Sequence, residues 1–151
     1  MELSKQVCSL ELAQKLLTLG VKQNSLFFWH HLDTPYPSII YMHEKTESSG
    51  DFLISAFTAS ELLEMLPTRI NTKTNVPFNN FRIRIEQAYL VPENNVISTF
   101  LVNYRCDTAE ITNDNDLLST PLFSHNLWDE NLANALAQCL IKLIEEGFMN
   151  D

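Results

Sequence analysis

At 151 residues the chain is long enough for one domain with a substantial core, and 45% hydrophobic against 19% charged residues is a globular composition, not a disordered one. A net charge of −9 argues against duplex DNA or RNA as the main partner, because phosphate contacts need a basic surface, and it disfavours anionic membranes. No run approaches the roughly 18 apolar residues of a membrane span, and no basic segment followed by an apolar one opens the chain as a signal peptide; the expectation is a cytoplasmic protein.

Ser9 is placed to cap a helix over Leu10–Leu19, with Leu12, Ala13, Leu16 and Leu17 on its apolar face and Gly20 as the left-handed residue that ends it. Glu11 and Lys15 form an i,i+4 pair on its wet side. The aromatic run Ser25–His31 and the run Ile39–Glu44 predict two strands of an antiparallel hairpin, joined through a turn that contains Pro35 and Pro37. Lys45–Asp51 is polar and reads as a loop, and Phe52–Ala56 as a short extended segment.

Ile54–Pro67 carries the densest local signals. Thr58 is an N-cap, Glu61 three residues on completes a capping box, and Phe57 with Leu62 can form a hydrophobic staple. Pro67 ends the helix. Arg69–Thr74 is expected as an edge strand. In Phe81–Tyr89, Phe81, Ile83 and Ile85 alternate with Arg82, Arg84 and Glu86, which predicts one face inside and one in water. After a turn at Pro92–Asn95, Val96–Arg105 is apolar on both faces and is placed centrally.

Asp107–Trp128 is the least regular region, acidic and without Lys or Arg, yet too apolar to be wholly solvated; part of it must pack on the domain or on a partner. Asp129 is then expected to cap a helix over Glu130–Glu146. Its stripe of Leu132, Leu136, Cys139, Leu140, Leu143 and Ile144 contributes on the order of 10 kcal/mol on burial, before entropy. Gly147 closes it.

Three of these stretches, Ser9–Leu16, Ile54–Pro67 and Leu132–Gly147, together make the chain resemble, over most of its length and in the same order, a group of short uncharacterised proteins of Bacteroides-type bacteria and their phages or prophages. The resemblance implies a phage- or mobile-element-associated accessory protein. Its motifs are caps and apolar stripes, so it implies no activity, cofactor or catalytic residue.

The candidate chemistry is sparse. His30, His31 and His43 with Asp33 and Glu44 are metal-ligand types, but adjacent strand residues point to opposite faces and no H-x-x-x-H occurs, so half-buried or surface histidines are the expected reading. Asn113–Asp116 lacks the Gly and the twelfth-position Glu of a calcium loop and reads as a polar turn. Cys8, Cys106 and Cys139 are odd in number and without C-x-x-C, which fits free, mostly buried thiols in a reducing compartment. Cys8, just before a helix start, has the one placement suggestive of an activated thiol. No phosphate-cradling or nucleophile-elbow motif is present.

Two surfaces remain. Leu122, Phe123 and Trp128 form a candidate protein-partner surface. Arg69, Lys73, Arg82 and Arg84 form the basic cluster, a candidate anion or nucleic-acid face with Phe78 or Phe81 for stacking; the competing reading is a solvated face paired with Glu86 and the acidic segment. The expected architecture is α+β: a single domain over residues 1–151, with an antiparallel sheet of about five strands and helices packed on one face. The leading functional expectation is a non-enzymatic protein that binds an unknown protein partner, needs no cofactor or metal, and can form a homodimer through an exposed sheet face or edge. The alternatives are nucleic-acid association through Arg82 and Arg84, and an enzyme with a pocket that no motif marks.

Overall fold

The computed structural model describes residues 2–30, 37–41, 53–71, 80–90, 97–106, 120–122 and 127–149. The chain is α+β, with three α-helices and two antiparallel sheets. It divides into two compact units, Met1–Met65 with Asn131–Asp151, and Leu66–Glu130.

The first unit holds the helices α1 (Leu10–Thr18), α2 (Ala59–Met65) and α3 (Leu132–Glu145), and a three-stranded sheet of order β2-β1-β3. Its strands are β1 (Phe27–His30), β2 (Ser38–Tyr41) and β3 (Ile54–Ser55). The predicted hairpin is present, with Phe28 opposite Ile40 and Trp29 opposite Ile39, and β3 joins its other side at Phe28 and Trp29. Both predicted glycine stops form complete Schellman motifs. At α1, Gly20 has φ 82°, Val21 N–H donates to Leu16 O at 3.0 Å and Gly20 N–H to Leu17 O at 2.9 Å. At α3, Gly147 has φ 78°, with Phe148 N–H on Leu143 O and Gly147 N–H on Ile144 O.

Helix α3 packs against α1 and α2, and its face is wider than the predicted stripe. Ala133, Ala135 and Ala137 are buried along with Leu136, Cys139, Leu140, Ile141 and Leu143, while Leu132 and Ile144 are only half-buried. Alanine at three of these positions lets neighbouring backbones come close without leaving voids. The cap is Asn131, not Asp129: Asn131 Oδ1 accepts from Ala133 N–H at 2.9 Å, while Asp129 lies in a strand. The amide explains the difference. Asn131 Nδ2 also donates to Val7 O at 2.9 Å, a bond that a carboxylate cannot make. Lys15, expected to pair with Glu11, instead bridges to Glu145 of α3 at 2.8 Å.

The segment Val7–Ser9 crosses this unit with its polar groups held by distant residues. Cys8 N–H donates to Phe57 O at 2.8 Å, Trp29 Nε1–H donates to Cys8 O at 3.2 Å, and Ser9 N–H donates to Asn134 Oδ1 at 2.8 Å. Buried backbone groups must be satisfied, and here no regular element does it.

The second unit is a five-stranded antiparallel sheet, with the path β4-β5-β6-β7 and β8 also on β6. Its strands are β4 (Arg69–Asn71), β5 (Asn80–Leu90), β6 (Ile97–Cys106), β7 (Thr120–Pro121) and β8 (Leu127–Asp129). Strand β6 is central, as its two apolar faces predict: Thr99, Leu101 and Asn103 are buried on one side, Val102 and Tyr104 on the other. Part of the irregular region does pack on the domain, as β7 and β8; residues 107–119 and 123–126 lie outside the described residues. The Tyr104 hydroxyl donates to Pro67 O within the same unit.

The predicted capping box of α2 reaches further than its own helix. Thr58 N–H donates to Glu61 Oε2 at 2.7 Å and Glu61 N–H to Thr58 Oγ1 at 3.3 Å. The same carboxylate accepts from Thr58 Oγ1 at 2.8 Å and from Leu26 N–H at 2.8 Å, and Ser25 Oγ lies 3.1 Å from it. Glu61→Ala strips these charge-assisted bonds from a partly buried site and is expected to cost about 2–4 kcal/mol in urea unfolding. Glu64→Ala, on an exposed position of the same helix, stays within about 0.5 kcal/mol. Equal losses in the two variants would refute a special role for Glu61.

Candidate functional site

Strand β5 decides what the second unit can offer. Its register fixes two faces, because directly opposed residues of antiparallel strands share one. On one face Arg69, Arg82 and Arg105 form a row across β4, β5 and β6. Arg84 beside Asn103 follows, then Glu86, Leu101 and Trp128 across β5, β6 and β8. On the other face Phe81 lies opposite Ile70, Ile83 opposite Tyr104, and Ile85 opposite Val102, with Gln87 and Tyr89 beyond.

The alternation predicted for β5 is correct, but the prediction that Ile85 is inside is not. Phe81 is buried and Ile83 half-buried, while Ile85 is 41% exposed and Tyr89 63%. Exposure rises along the strand away from β4. Strand β4 borders only Asn80–Arg82. Among the described residues, no strand lies beside Ile83–Leu90 on the side away from β6.

The basic cluster is partly assembled. Arg69, Arg82 and Arg84 share a face, as expected, and the first two are directly opposed; Lys73 lies outside the described residues. Arg105, which the sequence reading left out, completes the row. Like charges in direct opposition repel, and Glu86 offsets them through an ion pair to Arg105 at 3.9 Å. Both groups reach solvent, so the pair contributes at most about 1 kcal/mol. The candidate partner surface is more scattered. Trp128 is 44% exposed opposite Leu101, Leu122 is half-buried with its N–H donating to Tyr104 O at 2.7 Å, and Phe123 lies outside the described residues.

The first unit carries an open cleft of about 570 Å³, walled by Leu19, Met65, Leu140, Ile144 and Met149. Glu61 is at its margin, but both its oxygens already accept hydrogen bonds, which leaves it poorly suited as a general base. Among the described residues, no three His, Cys, Asp or Glu side chains gather as metal ligands. His30 is half-buried on β1; His31, His43, Asp33, Glu44 and Asn113–Asp116 lie outside the described residues.

The placement of Cys8 before a helix does not activate it. Cys8 and Cys139 are buried, and burial pushes their thiols from an ordinary 9.0 up to about 11 and about 12. Neither is a thiolate near neutrality. With the native pKa raised, the folded state holds protons that the unfolded chain releases, so the thiols' contribution is full below about pH 9 and is lost as pH rises through 11 to 12. In a Cys106→Ser background, Ellman's reagent should find no reactive thiol in the native protein at pH 8 and should find Cys8 and Cys139 after denaturation. Adding Cys139→Ala should flatten the fall in stability above pH 9. A fast-reacting native thiol would contradict this account. Comparison with protein-family models, curated proteins and solved structures finds no match to the chain, so its site is argued from its own geometry.

Proposed function

We propose that the chain is a non-enzymatic accessory protein of a bacterial phage or mobile-element gene set that binds another protein by strand addition at β5. The observation that carries this reading is the exposure of Ile85 and Tyr89 on a stretch of β5, Ile85–Leu90, beside which no strand lies on the side away from β6 among the described residues. Strand addition supplies affinity through main-chain hydrogen bonds and specificity through alternate side chains. The accessory role is supported by the resemblance of the Ser9–Leu16, Ile54–Pro67 and Leu132–Gly147 motifs to the Bacteroides and phage group. A partner that co-purifies stoichiometrically with the tagged wild-type protein should be lost with the double variant Ile85→Lys/Tyr89→Lys and kept with Trp128→Ala. Retention by the double variant would overturn strand addition at β5.

A second reading is favoured by one observation, the Arg69–Arg82–Arg105 row, which is a face for a single-stranded nucleic acid. It weighs less, because Glu86 already offsets the row and the chain is acidic as a whole. Under it, the protein is retained on single-stranded nucleic acid at low salt, and Arg84→Glu abolishes retention; no retention by the wild type at low salt ends this reading.

A further inference from the structure

We propose that the cleft of the first unit receives the apolar face of a basic amphipathic helix from a protein partner. The inference goes beyond strand addition at β5 and does not depend on it.

Helices α1, α2 and α3 all end at this cleft. Leu19 and Gly20 follow the last turn of α1, Met65 is the last residue of α2, and Ile144 lies in the last turn of α3, with Met149 beyond it. The C-terminal ends of helices carry partial negative charge. Glu61 and Glu64 of α2 add two carboxylates to the lining, against one ammonium, that of Lys22. The local potential is therefore negative, on a chain whose net charge is −9, and a cationic guest complements it. The same field opposes an anionic guest such as a fatty acid.

The walls fix the rest of the guest's chemistry. Leu19, Met65, Leu140, Ile144 and Met149 are aliphatic or thioether side chains, and the lining holds no aromatic ring to stack a base or cage a quaternary ammonium. Met65 and Met149 are flexible enough to follow an irregular apolar surface. Of these five walls only Leu140 is buried; the others are half-buried, so a guest in the cleft keeps one side in water. A free alkyl chain would leave apolar surface exposed there, whereas an amphipathic helix turns its polar face outwards. An extended peptide fits worse, because aliphatic walls leave its main-chain donors and acceptors unsatisfied, while a helix satisfies its own. A volume of about 570 Å³ holds roughly four leucine-sized side chains at interior packing density, the number that an i, i+3, i+4, i+7 face presents.

The probe is a synthetic helix of about 15 residues with leucines at i, i+3, i+4 and i+7 and lysines on its other face. At low salt it should bind the full chain saturably with a Kd below about 1 mM, and in protein labelled with 13C-methyl methionine the signals of Met65 and Met149 should shift. Glutamates in place of the lysines should weaken binding at least about tenfold. Glu64→Lys should weaken the lysine peptide at least about fivefold and strengthen the glutamate peptide, while Glu11→Lys, the same charge change in the first turn of α1, should do neither. Met149→Gln should weaken both peptides with unchanged circular dichroism. No saturation, equal affinity for the two peptides, or an equal response to Glu64→Lys and Glu11→Lys each overturns the proposal. Dodecylamine shifting Met65 and Met149 where the lysine peptide does not would also overturn it, the guest then being a free amphiphile. Ile85→Lys/Tyr89→Lys should leave peptide binding unchanged, so strand addition at β5 stands or falls separately.

Discussion

The first unit depends on where one carboxylate finds its donors. Glu61 caps its own helix through the Thr58 N–H, and it also takes the Leu26 N–H at the entrance to β1, with Ser25 Oγ beside it. Helix α2 is only two turns long and could not persist alone. A charge at its N-terminus both satisfies orphan donors and opposes the helix dipole favourably. Because the same charge fixes the chain before β1, the short helix and the three-stranded sheet cannot shift independently. Around this polar knot the apolar residues close completely, with Phe57, Leu62 and Leu16 fully buried.

The second unit solves a different problem. A central strand covered on both faces, β6, supplies its stability, and its neighbours on one side are two short pieces, β7 and β8. On the other side β5 is far longer than the β4 that borders it. Among the described residues, the sheet thus has one side bordered by fragments of the irregular region and the other bordered only by β4.

Local signals in the sequence translated well. The Ser9 cap, the Thr58–Glu61 box, the glycines at 20 and 147 and the alternation of β5 are set within a few residues of chain, and each is found. Failures arose where a distant residue decides. Asn131 displaces Asp129 as the cap because its amide also serves Val7, some 124 positions away. Alternation alone puts Ile85 inside, because it reports a face, not whether anything covers it. Arg105 joins the basic row only once the hairpin register is known, since a shift by one residue would send it to the opposite face. The division of the strands between two sheets was hidden for the same reason: pairing partners are not written in either strand alone.

The bonds that secure Val7–Ser9 have a temporal consequence. Their partners Asn131 and Asn134 belong to the start of α3, while the whole of Leu66–Glu130 lies between in sequence. A chain emerging from the ribosome therefore exposes the sheet of the second unit entire before the first unit can close. The first unit must wait, with Val7, Cys8 and Phe57 unburied, until its last helix arrives, and closing that long loop is entropically slow. Strand β5 is thus presented early, while the hydrophobic core of the first unit is unfinished, in a nascent chain whose net charge of −9 is left to keep copies apart.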